Sequence, residues 1–291
     1  MFFTTEEECL EYLGKIRWGD KFVCSKCDST KSWRLRKGLW KCSACSFEHS
    51  VTAGTIFQDS HLPLKTWFHA IWHTTVQKPG VSALGLQGDL GLGSYRTAWL
   101  MLHKIRRAMV RVDRSLLENE VEVDETLVGG SFSGKRGRGA EHKRLVVIAA
   151  EVNGKKIGRI RMKHIPNATT KTLHSFIKTT VKPGALIHTD GWKSYCGIDK
   201  EGFDHDMTTT ESVGVDELMP RIHLVASLFK RWLLGTHQGR FEEKYLDDYL
   251  EEYTFRFNRR TSKARGMLFF RVIENALVTQ PTILKTIKLR K

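Results

Sequence analysis

Two Cys-x-x-Cys pairs, Cys24/Cys27 and Cys42/Cys45, stand 14 residues apart near the start of a 291-residue chain. Four thiols at this double-knuckle spacing predict a closed tetrahedral site for a structural zinc ion. The run KSWRLRKGLWKC, which leads into the second pair, alternates as a hairpin does. A module this small, residues 1–56, cannot bury enough apolar surface to fold unaided, so the metal is expected to supply its folding free energy. A four-thiolate shell leaves no open coordination position, and no catalysis is expected there. A redox dithiol or an iron–sulfur cluster is the competing reading, but no βαβ pattern surrounds either pair. Cys9 and Cys196 are left over and take no role.

The module opens with TTEEECLEYLGKIRW, which reads as a short helix capped by Thr4 or Thr5, with glutamates at its positive end. Residues 57–115 read as helical. LPLKTWFHAIWHTTV places Leu64, Trp67, Phe68, Ile71 and Trp72 on one stripe, and Pro79-Gly80 ends it. A short helix and a glycine-rich turn follow. SYRTAWLMLHKIRRAMVRV is then a longer helix with Ser94 as its N-cap. Three helices joined by short turns form a small helix-turn-helix-like domain, and Arg96, Lys104, Arg106, Arg107 and Arg111 on the last one suit DNA reading. Plain three-helix packing is the alternative.

Charge supports a polyanionic partner. Lysine and arginine number 47 against 32 acids, a net +15, and such a field attracts nucleic acid. Lys26, Lys31, Arg34, Arg36 and Lys37 put part of that charge on the cysteine module, which is expected to touch DNA or to dock on protein. No run of about 18 apolar residues is present, so no membrane partner is expected. The opening MFFTTEEECLEYL is acidic and lacks a basic n-region, so a cytoplasmic protein is expected rather than an exported one.

From about residue 116 the pattern changes. VEVDETLVG is a strand with Val121, Val123 and Glu125 on one face and Glu122, Asp124 and Thr126 on the other. RLVVIAAEV and KKIGRIRMKHI are two more, joined by an Asn153-Gly154 turn. NATTKTLHSFIKTTV is a helix, and ALIHTD is a fourth strand ending at Asp190. Between the first two strands, GGSFSGKRGRGAEHKR is either a mobile basic arm or an ordinary hairpin loop. PRIHLVASLFKRW is a helix whose His223 and Lys230, seven residues apart, share a face. EEKYLDDYLEEYTFRFNRR is an amphipathic helix, and the basic tail from Phe255 is expected to reach DNA or stay loosely ordered. Three hairpin-linked strands, a helix and a further strand predict an α/β fold of mixed sheet flanked by helices.

The double Cys-x-x-Cys, VDETLVGG, HTDGWKSY, SLFKRWLLGTHQG and YLDDYLEEYTFRFNRR together resemble the DDE-type transposases of bacterial insertion sequences. The group they resemble carries an N-terminal zinc ribbon ahead of an RNase H-like catalytic core. The resemblance covers nearly the whole chain and implies three domains: a zinc ribbon at 1–56, a helical DNA-binding domain at 57–115 and the catalytic domain with C-terminal helices at 116–291. It maps the family's two catalytic aspartates onto Asp124 and Asp190, and a lysine onto Lys230. Where the family usually has a glutamate, this chain has His223, with Asp216 and Glu217 upstream as alternative carboxylates and Glu217 ranked after His223. Magnesium prefers oxygen ligands while imidazole suits manganese better, so Mg2+ or Mn2+ is expected beside structural Zn2+. A coordinating His223 must be neutral, and activity should fall in acid.

The implied reaction is two-metal phosphoryl transfer on double-stranded DNA: hydrolysis at the element's terminal repeats, then attack of the freed 3′ hydroxyl on target DNA. Acting on two ends implies a homodimer or larger assembly on DNA, close to the nucleoid. A non-catalytic DNA-binding regulator and a nuclease without strand joining are the other readings, the first supported only by the histidine.

Overall fold

The computed structural model describes residues 3–19, 21–35, 38–111, 113–129, 143–208, 219–239 and 241–288. Two compact units divide it: Met1–Arg111 with Lys263–Lys291, and Val112–Ser262.

In the first unit, α1 (Glu6–Trp18) starts in a reciprocal cap. The Glu8 amide donates to Thr5 Oγ1 at 3.2 Å, and Glu8 Oε2 accepts the Thr5 amide at 3.0 Å. The cysteine module is a three-stranded antiparallel sheet of β1 (Ser32–Arg34), β2 (Leu39–Cys42) and β3 (Glu48–Ser50). Trp40 packs on Trp18 of α1 with ring centroids 5.2 Å apart. Helix α2 (Leu64–Val76) buries Leu64, Trp67, Phe68 and Ile71, the stripe expected from sequence. Its first amides are capped from α1, since the Glu6 carboxylate accepts from Leu64 at 2.8 Å and Lys65 at 2.9 Å. Helices α3 (Ala83–Asp89) and α4 (Tyr95–Ala108) follow, with Ser82 capping the first through Gly85 N–H at 3.0 Å. Ser94 occupies the N-cap of α4 without a side-chain bond.

The basic face expected of α4 is partly inverted. Lys104 is 7% exposed and Arg106 2% exposed, while Arg96 and Arg111 lie at the surface. The cause is spacing: Lys104 lies three residues past buried Met101, and Arg106 four past buried Leu102, so the helix carries both inward.

The second unit is built on β4 (Glu120–Val128), β5 (Arg144–Asn153) and β6 (Lys156–Ile165), an antiparallel meander. Gly154 turns the second hairpin at φ +56°, where a side chain would be strained. After α5 (Thr170–Thr180), β7 (Leu186–Thr189) pairs in parallel with β4, and β8 (Asp204–Met207) in parallel with β7. The order β6-β5-β4-β7-β8 is the RNase H-like mixed sheet. On one face Leu173, Phe176 and Ile177 of α5 pack on Val121, Val123, Val147, Ala149 and Ile187. Helix α6 (Pro220–His237) lies against β4 and β5, and α7 (Leu246–Phe257) against β6. Strand β8 is not expected from sequence. Its residues, DHDM, show no apolar alternation, because an edge strand with most of its surface in water needs none.

The chain then returns to the first unit as α8 (Gly266–Val278) and α9 (Leu284–Lys288). Leu268, Phe269, Val272, Ile273 and Ala276 of α8 are buried. Phe269 meets Phe68 of α2 at 5.6 Å, and Ala276 O accepts the Ile56 amide at 3.2 Å. The expected loosely ordered tail and the 116–291 boundary are thereby corrected. Ten basic residues spread along the tail mask the five-residue apolar stripe of α8. The basic loop at 130–142, Asp216, Glu217, Arg36 and Lys37 lie outside the described residues.

Candidate active site

Strand β4 presents two different faces. Val121 and Val123 point into the core under α5. Two residues on, the same face carries Glu125, whose Oε2 accepts the Tyr195 hydroxyl at 2.7 Å. Tyr195 is fully buried, and burial first, then the charges of Glu125, Asp124 and Asp190, push its phenol pKa well above the usual range. One buried ring thus stands within the field of all three carboxylates.

The opposite face carries Glu122, Asp124 and Thr126, and α6 contacts each of them in order. Glu122, 3% exposed, accepts the backbone amides of Arg221 at 3.0 Å and Ile222 at 3.1 Å, and Arg221 Nη1 at 2.6 Å. Those amides belong to the first turn of α6, so a strand carboxylate caps the helix that carries the remaining polar groups. His223 Nε2 then lies 4.0 Å from Asp124 Oδ2. Lys230 Nζ donates to Thr126 Oγ1 at 2.8 Å. Seven helical residues advance about 10.5 Å and two strand residues about 6.6 Å, a mismatch the lysine spans because helical side chains lean toward the N-terminus. Burial, and then the charge of Lys143, lower the Lys230 pKa.

Asp190 arrives from β7. The parallel register pairs Glu122 with His188, so Asp124, midway along β4, and Asp190, just past the end of β7, each lie two residues beyond a matched pair. Strands so paired run about 4.8 Å apart. Asp190 Oδ1 also accepts the Trp192 amide at 3.0 Å, which orients it in the turn after β7. Helix α6 therefore brings His223 to Asp124 and Lys230 to Thr126, and Asp190 follows the strand that neighbours β4. They remain looser than the cysteine site, since among the described residues only the four cysteines bring three or more metal donors within 4.8 Å of one another. Two carboxylates and an imidazole are nonetheless a donor set suited to magnesium or, better, manganese.

The cysteine site is compact. Cys24 and Cys45 sulfurs lie 3.6 Å apart, as do those of Cys27 and Cys42, close to the tetrahedron edge of about 3.8 Å implied by Zn–S bonds of 2.3 Å. Backbone amides of Cys45 and Ala44 hold the Cys42 thiol pKa down, to about 6, which favours the thiolate that zinc needs. His49 Nε2 lies 3.4 Å from the Cys24 sulfur, a neighbour that sequence spacing does not reveal.

Two family models match, the ISXO2-like transposase domain over residues 116–258 and the transposase zinc-ribbon domain over residues 4–48. The chain belongs to the insertion-sequence transposases that carry an N-terminal zinc ribbon. This transposase is 25% identical, over 87% of its length and 91% of the relative's, to an uncharacterized protein in the transposable element ISH50 of Halobacterium salinarum. Among solved structures it is distantly similar to the catalytic core domain of BIV integrase, at 16% identity and TM-score 0.32 over 50% of this chain and 85% of that one. It is also distantly similar to the Mos1 transposase paired-end complex with left transposon end, at 10% identity and TM-score 0.26 over 96% and 90%. Within the transposase domain, sequence reasoning gave Tyr195 no role and left Arg221 unnoticed. Tyr195 stood in HTDGWKSY, and Arg221 is an arginine next to a proline, a pattern that does not announce a buried partner. Among the described residues, no helix is long and apolar enough to cross a membrane.

Proposed function

We propose that the chain cuts the ends of its element and joins the freed 3′ hydroxyl to target DNA where Asp124 of β4 neighbours Asp190 after β7. One observation carries the reading: two aspartates, each two residues past a matched pair of adjacent parallel strands, with His223 4.0 Å from the first. Asp124, Asp190 and His223 would hold Mg2+ or Mn2+. Such cations activate an attacking oxygen and neutralise charge on the phosphate and the leaving oxygen. His223 serves in its neutral form. Lys230, steadied by Thr126, offers an ammonium to a phosphodiester oxygen. Tyr195 pins Glu125 on the core side, which leaves Asp124 as the acid of β4 that faces His223. The net charge of +15 supports double-stranded DNA as substrate, both terminal repeats and target. Handling two ends calls for a homodimer or larger assembly on DNA, and such work takes place in the cytoplasm beside the nucleoid.

The test incubates purified protein with labelled element ends and magnesium or manganese. Joined products support the proposal. Cutting without joining would indicate a nuclease, and shifted but uncut DNA a regulator derived from a transposase.

A further inference from the structure

The first unit holds a cavity of about 310 Å3, walled by Trp67, Leu100 and Leu284 among others and formed between α2, α4, the segment before α2 and α9. None of its residues belongs to the transposase domain. Its volume falls at the small end of ligand pockets, enough for one ring system with a polar appendage and far too little for a duplex. The Trp67 indole is fixed, since its Nε1 donates to Ser60 Oγ at 2.8 Å.

Lys104 lines this cavity and is 7% exposed. Its ammonium stands 5.8 Å from the Trp67 ring centroid. Among the described residues it has neither a hydrogen bond nor an ion pair. Burial lowers its pKa, and the only acid that acts against this is Asp59, an exposed residue on the cavity wall whose Oδ2 accepts from Gln58 Nε2 at 3.2 Å. A buried cation without a close counter-charge is unfavourable unless an anion completes it. Arg96, one cavity edge away on the same helix, adds a second cation that is exposed to solvent. Apolar Leu100 and Leu284 on the wall, with the Lys104 and Arg96 cations among the lining residues, suit a flat apolar ring that carries a phosphate.

We propose that this cavity takes one nucleotide, the base against the Trp67–Leu100–Leu284 wall and the phosphate at Lys104 and Arg96. The proposal rests on the reading of the chain as a DNA-handling protein, and the nucleotide is either an unstacked unit of a DNA strand or a free deoxynucleoside monophosphate.

The test uses the full zinc-loaded chain. Calorimetric titration with dAMP and dTMP should show binding about tenfold or more tighter than inorganic phosphate, because burial of the base against Leu100 and Leu284 adds to the charge contact. Lys104→Met should weaken nucleotide binding about tenfold or more, the usual worth of a charge-assisted contact, whereas Lys104→Arg keeps it within a few fold. Misfolding does not obscure the result, since exchanging a buried charge for an apolar chain of similar length should leave thermal stability equal or higher. Arg96→Gln, at an exposed position, gives a second and smaller loss. A DNA strand carrying a fluorescent adenine analogue separates the sources: emission that rises with wild type and not with Lys104→Met assigns the site to DNA, and unchanged emission beside tight dAMP binding assigns it to the free nucleotide. The proposal is overturned if neither dAMP nor DNA responds to Lys104→Met, or if inorganic phosphate binds as tightly as dAMP. Asp124→Asn separates this claim from the proposed reaction, because it should bind nucleotide normally while failing to cut.

Discussion

Replacing Glu122 with alanine should destabilise the second unit and loosen the helix that carries His223 and Lys230. Its carboxylate is 3% exposed and accepts three donors, the amides of Arg221 and Ile222 and the Arg221 guanidinium. Loss of a helix cap costs about 1 kcal/mol. Loss of a hydrogen bond to a charged partner costs about 1.5–3 kcal/mol, and the Arg221 side chain, 24% exposed, keeps little water to replace it. The sum for Glu122→Ala is about 2.5–4 kcal/mol, and Glu122→Gln, which retains one acceptor oxygen, should lose about half of that. Hydrogen exchange measures the local part, as protection of the first-turn amides of α6 should fall in proportion. Urea unfolding, followed on the second unit, measures the whole. A loss below about 0.5 kcal/mol for Glu122→Ala, the size of an ordinary surface change, would refute the reasoning, as would first-turn amides as protected as in wild type.

Other consequences follow from the same geometry. The ribbon should hold one zinc per chain, absent from Cys24→Ser and Cys42→Ser by metal analysis; full zinc content in either would contradict the cysteine site. Tyr195→Phe removes the donor to Glu125 and should destabilise by about 1.5–3 kcal/mol in thermal or urea unfolding, with no loss if that bond is idle. Glu151 is half-buried, which raises its pKa, but the Arg159 side chain and amide outweigh this and lower it below the usual 4.5. Its contribution should be full above pH 4.5 and vanish as acid protonates it, so wild type and Glu151→Gln should converge in stability below that pH. Equal stabilities at neutral pH would count against the Glu151–Arg159 pair. Lys230→Met should retain DNA binding in gel shifts while cleavage slows; unchanged cleavage would remove Lys230 from the site.

Much of the second unit was legible because its signals are local. β4 opens in alternation, β5 holds an unbroken apolar run, Asn153-Gly154 fixes a turn, and Pro183-Gly184 ends α5. The pairing of Asp124 with Asp190 was legible only through resemblance to a family. Spacing along the chain does not say that β7 slots beside β4 rather than at the far edge. In the sequence Glu122 is only a neighbour of Asp124 on one strand face, because its partners lie about a hundred residues away and include backbone amides that no side-chain pattern encodes. α8 escaped notice because charge dominated the tail's composition, while five apolar residues at helical spacing decided where it packs. On α4 the same error ran the other way: lysine and arginine were read as outward-facing, and spacing from Met101 and Leu102 placed two of them inside.

Single-turnover cleavage of labelled DNA ends by Asp124→Asn and Asp190→Asn, compared with wild type in manganese, tests the central claim most directly. Each substitution keeps the side chain's shape and removes the charge that holds a cation. The account predicts that either one slows cleavage about a thousandfold or more, the loss of several kcal/mol of charge stabilisation, with DNA affinity kept. Cleavage by both variants within about tenfold of wild type would contradict it, because the reaction would then run without the acids of β4 and of the turn after β7.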